Sequence, residues 1–194
     1  VLNEVSPDIA MFCYQATSHL VELGHRHIGY LGGPLAEDEP TWFNLRRGGI
    51  ENALRAYNLQ PNALRFQACS DASRGTMAIQ QLLKRWPETT AVMCINDEIA
   101  ISAVIGAGEM GLRVPADLSV IGCNDIKLAG FFRPALTTLA IDIPTLVESG
   151  LDLLFEEIRS GKARSGDRPV KIMTQAELIV RSSTAPPAKR AASQ

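Results

Sequence analysis

Two stretches of this sequence end alike. SVIGCND (119–125) and AVMCIND (91–97) each run through apolar residues and stop on an Asn-Asp pair, Asn124-Asp125 and Asn96-Asp97, 28 positions apart. Asn both donates and accepts hydrogen bonds, whereas an ionised Asp only accepts. Polar pairs that surface at the ends of buried strands suit contact with a small polar ligand. The same residue types also cap helices. Asn96 or Asp97 precedes EIAISAV and can satisfy the unpaired N–H groups at the start of that helix. For Asp97, capping and ligand contact both stay open. Asn124 precedes a weaker helical stretch, which favours a ligand role.

Other chemistry finds little support. His19, His25 and His27 are close in sequence, but one falls within a helical pattern, one follows a helix-ending Gly24 and one opens a strand. No acidic or Cys partner has useful spacing, so no metal is expected. Gly32-Gly33 follows a strand, yet neither G-x-G-x-x-G nor G-x-x-x-x-G-K-[ST] is present, and Pro34 comes next. No G-x-S-x-G elbow appears. The reading is a non-enzyme that needs no cofactor.

These groups must be positioned by a scaffold, and the pattern of elements names it. Buried, β-rich runs of about five residues (HIGYLGG, ALRFQAC, AVMCI, LSVIG, ALTTLAI) alternate with longer amphipathic stretches. Among these are SPDIAMFCYQATSHLVELGH, with Ser6 as cap and Gly24 as stop, NLRRGGIENALRAYNL, DASRGTMAIQQLLKRW and DEIAISAVIGAGEMG. Such alternation predicts an α/β fold: a parallel sheet with helices on both faces. Ligands of these sheets bind at the carboxyl ends of the strands, near a topological switch point. PTLVESGLDLLFEEIRSG (144–161) is a separate amphipathic helix, and VKIMTQAELIV reads as a last strand.

Bulk properties set limits. A chain of 194 residues supports a substantial core. With 19 basic and 21 acidic residues the net charge is −2, which excludes bulk binding to nucleic acid or an anionic membrane. No apolar run approaches the roughly 20 residues of a membrane span. Cys13, Cys69, Cys94 and Cys123 form no C-x-x-C pair, so they read as reduced thiols of a cytoplasmic protein, with a disulfide or metal pair as the alternative. Because the sequence opens on Val1, it is read as a fragment or processed product.

Several motifs together resemble the effector-binding region of the lactose/galactose repressor (LacI/GalR) family of bacterial transcription regulators. They are HLVELGHRHIGYLGGP, LRRGGIENAL (through Arg46, Gly49, Ala53 and Leu54), AVMCINDEIAISAVIGAGEMGLRVPADLSVIGCNDIKLAGFFRPALTTLAIDI, and the closing ELIVRSST. The resemblance spans about residues 5–184. It implies the two-lobed, periplasmic-binding-protein-like type I fold, mainly its carboxyl-side lobe (8–138 plus 170–184). Residues 139–165 would form a crossover and a helix belonging to the amino-side lobe, and 185–194 a disordered tail. The DNA-binding headpiece and most of the amino-side lobe would be absent. The apolar face of 144–158 is then expected to pack on another copy of the chain or to be poorly ordered.

The resemblance also implies a site. Arg46 matches the family arginine that reaches the effector, its guanidinium a rigid fork for hydroxyl pairs or a carboxylate; the alternative is a surface helix arginine. Asn96 matches a position lining the cleft. Asn124, followed by Asp125, stands where most relatives carry the first aspartate of G-[FY]-D-D, which alters charge selectivity. Trp42 is either a stacking surface or a hydrophobic staple. Ser70 and Ile141 fall near positions that are aromatic or polar in some members. Relatives use the helix after Asp97 for dimerisation, which places Ile101, Val104 and Ile105 at the interface. The expected function is a cytoplasmic regulator's ligand-sensing and dimerisation region. Its partners would be a sugar-like effector, a second copy of itself, and operator DNA through the missing headpiece, with no membrane contact. The alternative is a periplasmic sugar-binding protein of a transporter.

Overall fold

In a computed structural model the described residues are 3–33, 41–60, 63–160 and 170–188. The elements run β1 (Glu4–Pro7), α1 (Ile9–Glu22), β2 (Ile28–Gly32), α2 (Thr41–Ala56), β3 (Leu64–Ala68) and, after a 3-10 turn at Ala72–Arg74, α3 (Gly75–Arg85). There follow β4 (Ala91–Cys94), α4 (Asp97–Glu109), β5 (Ser119–Cys123), α5 (Lys127–Phe131), β6 (Thr137–Ile141), α6 (Ile143–Ser160), β7 (Lys171–Thr174) and β8 (Ala176–Ile179).

Six strands form the main sheet in the order β3-β2-β4-β5-β6-β8; all neighbours are parallel except the β6–β8 pair. The expected α/β architecture is therefore present, with an antiparallel edge. Alternation along the buried strands sends side chains to two separate cores. Ile28, Tyr30, Ala91, Met93, Ile121 and Cys123 pack under α1 and α2 against Phe12, Leu20, Ile50 and Leu54. Leu31, Val92, Cys94 and Val120 pack under α3 and α4 against Ile79, Leu82, Ile99 and Ala103. Gly49 lets α1 and α2 approach closely: a Cβ there would lie 2.1 Å from the Ala10 carbonyl oxygen.

The closing motif of the sequence holds the sheet together. Ser183 Oγ donates to the Val120 carbonyl at 2.6 Å and accepts from the Thr137 amide at 2.8 Å, joining β5 to β6. The Arg181 guanidinium donates to the Leu136 carbonyl. The tail beyond is not disordered from residue 185 as expected, because Ala185 is bonded through both its backbone groups, to Ser119 and His25.

Three further expectations are corrected. Ser6 does not cap α1, because it lies in β1; Asp8 does, its carboxylate accepting from the Met11 amide at 2.9 Å. The run 170–180 is two strands rather than one. β7 pairs in parallel with β1 as a separate two-stranded sheet, whereas β8 joins β6. Residues 170–174 thus leave the main sheet to which they were assigned. Finally, α6 is a complete helix and not a poorly ordered one. Asp142 caps it, accepting from the Thr145 amide and hydroxyl, and it contacts β1 and β7 while Leu151, Leu154, Phe155 and Ile158 stay exposed.

Candidate functional site

Strand β2 lies between β3 and β4, so the chain reverses its direction of travel across the sheet beside β2. A crevice opens there, at the carboxyl ends of the strands, as the geometry of such sheets requires. Its floor is formed by Tyr30 of β2, Met93 and Cys94 of β4, Ile121 to Cys123 of β5 and Leu139 of β6; its walls are Phe12 and Cys13 of α1 and Arg46 of α2. The enclosed space is about 20 Å³. That admits one water, which needs roughly 10–15 Å³, and is far below the several hundred Å³ around a bound small molecule. This face supplies a floor and by itself too little volume to enclose a small molecule.

Arg46, which the resemblance assigns to the effector, lies on the wall of this crevice. Among the described residues it makes no hydrogen bond or ion pair, and its charge acts on Cys13, Tyr30 and Cys123. Burial raises the thiols, Cys13 to about 12 and Cys123 to about 11, with Arg46 opposing the shift in each case. These are protonated, unreactive groups, and all four cysteines are free.

The two Asn-Asp pairs divide their labour. Asn96 is the cap of α4, its Oδ1 accepting from the Ile99 amide at 2.9 Å, which leaves the amide nitrogen to donate. Asp97 is not the cap, and its side chain is turned into the protein. Its buried carboxylate accepts from Thr138 Oγ1 at 2.6 Å and from the Ile126 amide at 2.8 Å. Burial raises its pKa and these two bonds oppose the rise. Gly122 makes room for it, since a Cβ there would lie 2.1 Å from Asp97 Oδ1.

After β5 the backbone turns through two successive positive φ angles, 102° at Asn124 and 49° at Asp125. Asn and Asp are the non-glycine residues that best tolerate this region. The turn exposes Asn124 at the rim, whereas the Asp125 carboxylate, half-buried, is engaged by Arg181 at 2.7 Å.

Of the other expected contacts, Ser70 is exposed after β3 and bonds Asp71, and Ile141 packs on the α1/α2 core; neither lines the crevice. The side chain of Trp42 lies outside the described residues. On α4, Ile101 is buried within the chain at 9% exposure and is withdrawn from the interface, Val104 is half-buried, and Ile105 is 49% exposed. Tyr30, Cys13 and Met93 were missed. A tyrosine within an otherwise apolar buried strand was the one available signal for the first. His25 is no ligand: its ring nitrogens bond Thr90, Ser119 and the Ala185 carbonyl at the opposite ends of the strands.

A mostly parallel sheet with its crevice at the switch point, floored by a tyrosine of β2 and walled by an arginine, fits an α/β domain of the periplasmic-binding type. Residues 17–184 match the periplasmic binding protein-like domain family, and the chain belongs to it, in the form carried by LacI/GalR transcriptional regulators. Among curated relatives, the HTH-type transcriptional repressor PurR of Escherichia coli is 34% identical over 173 residues, 89% of this chain and 49% of the relative. The chain thus spans about half the length of the curated relatives it matches. A LacI family regulator from Enterococcus faecium with bound ribose superposes with a TM-score of 0.79 at 28% identity, covering 93% of this chain and 64% of that one. The transcriptional regulator CelR in complex with cellobiose gives 0.80 at 26% identity, covering 94% and 54%. A dimeric Lac repressor gives 0.78 at 28%, covering 93% and 64%.

Proposed function

We propose that this chain is the ligand-sensing and dimerisation region of a cytoplasmic, DNA-binding transcriptional regulator. A small effector sits over the crevice beside β2, between this lobe (8–138 with 176–184) and a second lobe to which β1, α6 and β7 belong. Effector binding biases the angle between the lobes and so the affinity of a headpiece for its operator, a coupling of roughly 1–3 kcal/mol in such systems. The observation that carries the reading is Arg46, a cation without a bonded partner among the described residues, on the wall of a crevice at the switch point. Ribose and cellobiose in two structural relatives support a small polar effector, and the repressor relatives support the regulator over a transporter component. Four free thiols agree with a reducing compartment.

Dimerisation is assigned to the surface carrying Ile105 of α4, with Leu128 and Phe131 of α5, the last 78% exposed. In the full-length protein, Arg46→Ala is expected to abolish effector response in an operator-binding assay while leaving operator affinity intact. Ile105→Glu is expected to shift the protein from dimer to monomer in sedimentation. An effector response that survives Arg46→Ala would refute the site.

A further inference from the structure

We propose that the crevice selects an acidic ligand, a sugar acid or hydroxy acid whose carboxylate lies between Arg46 and the Tyr30 hydroxyl, with Tyr30 as a specificity-determining residue. The proposal rests on the effector-cleft reading above. Tyr30 is 3% exposed, and its hydroxyl is buried without a hydrogen-bond partner in the wall of the crevice. The ring is fixed from both sides. It stacks on Phe66, centroids 5.6 Å apart, and Phe66 in turn meets Phe43 edge-on. Gly32 leaves the space the ring fills, since a Cβ there would lie 2.6 Å from Tyr30 Cε1. A buried, rigid and unpaired hydroxyl carries a desolvation penalty that a bound partner removes.

The balance of donors and acceptors identifies that partner. A guanidinium only donates, and burial keeps the Tyr30 phenol protonated. Asn96, just past the end of β4, has its oxygen occupied by the α4 cap and only its amide nitrogen left to bond. The aspartates that follow the strands are already engaged by the protein. Asp97 is held by Thr138 and Ile126, Asp125 by Arg181, Asp142 by Thr145, Asp71 by Ser70 and Ser73, and Asp8 by the Met11 amide. At the β5 rim the exposed group is an amide, Asn124, whose oxygen already accepts from the Cys123 thiol. A neutral sugar needs acceptors for its hydroxyl protons, and this floor offers mainly donors around one uncompensated positive charge. A carboxylate supplies acceptors only, in the planar geometry that an arginine fork engages with two bonds.

The test is calorimetric titration of the full-length protein with D-glucuronate, D-galacturonate and D-gluconate, each beside its neutral counterpart D-glucose, D-galactose or D-sorbitol. Ribose, cellobiose and D-glucose 6-phosphate complete the set. At least one acid is expected to bind ten-fold or more tightly than its neutral counterpart. Tyr30→Phe should weaken that acid about ten-fold, and Arg46→Lys, which keeps the charge but loses the fork, should weaken it further. Circular dichroism and melting temperature verify that both variants fold. The proposal falls if no acid binds, if a neutral sugar or the phosphate ester binds better than every acid, or if Tyr30→Phe leaves the affinity unchanged. A neutral ligand lost in Arg46→Ala would sink the acid preference yet leave the cleft reading standing. A ligand indifferent to both Arg46→Ala and Tyr30→Phe would sink the cleft reading as well.

Discussion

The Asp97 carboxylate, at the first turn of α4, accepts a 2.6 Å hydrogen bond from the Thr138 hydroxyl near the start of β6, reaching across β5 through the gap left by Gly122. Its second oxygen holds the Ile126 amide, just beyond the turn that displays Asn124. One buried carboxylate thus ties together β4, β6 and the rim of the crevice, and the ligand floor inherits its rigidity from that tie.

Removing the tie should be costly. Asp97→Ala leaves a buried hydroxyl and a half-buried amide without partners, so a loss of about 2–4 kcal/mol is expected from chemical denaturation. Gly122→Ala drives a methyl into the carboxylate and should cost a similar amount, of order 1–3 kcal/mol. In the double variant the clash with the carboxylate is gone and only the end of the Leu136 side chain, 2.7 Å from such a Cβ, still has to yield, so the combined loss should be smaller than the sum. Additive losses would show that the two residues are not coupled.

His25 makes folding sensitive to mild acid. Burial is the largest influence on its ring and lowers its pKa below the ordinary 6.5; the bond to the Ala185 carbonyl opposes this and the nearby His19 and Arg26 reinforce it. His19 is lowered by burial too. A depressed folded pKa means that the unfolded chain binds the proton more readily. The contribution to stability is therefore complete above about pH 6.5 and is lost as the pH falls through the lower folded value. Melting temperature should drop between pH 7 and pH 5, and His25→Gln should flatten that slope at the expense of a lower melting temperature at pH 7. An unaltered slope in His25→Gln would remove His25 as its source.

The thiols should behave as core atoms. Cys13 and Cys123, raised to about 12 and 11, hold almost no thiolate at pH 8, and Cys94 is raised as well. A disulfide reagent at pH 8 should label none of the four within the time in which it labels all four in guanidinium chloride. Rapid labelling of any cysteine in the native protein would contradict the burial assigned to it.

Much of the fold was readable in the sequence because its local signals and its packing agree. Five strands and their helices follow directly from buried β-rich runs alternating with period-3.6 patterns, and Arg46 lines a crevice at the strand ends. Where the reading failed, contacts distant in sequence decided the outcome. Ser6 looked like a cap until β7, over 160 residues later, drew it into a strand. Gln175 divides what looked like one strand because its two halves face different sheets. Asp125 reads as a ligand group until Arg181 is seen beside it, and Ile101 as surface until α3 is packed over it. The lone-standing role of Tyr30 could not be read from spacing, since an unsatisfied hydroxyl is a property of its surroundings.

Asn124 carries two demands that substitutions can separate. Its backbone sits at φ 102°, where a β-branched residue is strained and glycine is not. Asn124→Val should therefore lose about 1–2 kcal/mol of stability, whereas Asn124→Gly should stay close to the parent. Neither variant retains the amide at the rim, so both should alter effector response in the full-length protein to a similar degree. Asn124→Asp keeps the local geometry and adds an acceptor with negative charge, and effector affinity should change while stability does not. If Asn124→Val and Asn124→Gly melt together, the backbone assignment is wrong; if Asn124→Asp leaves the effector response untouched, the residue has no part in selecting the ligand.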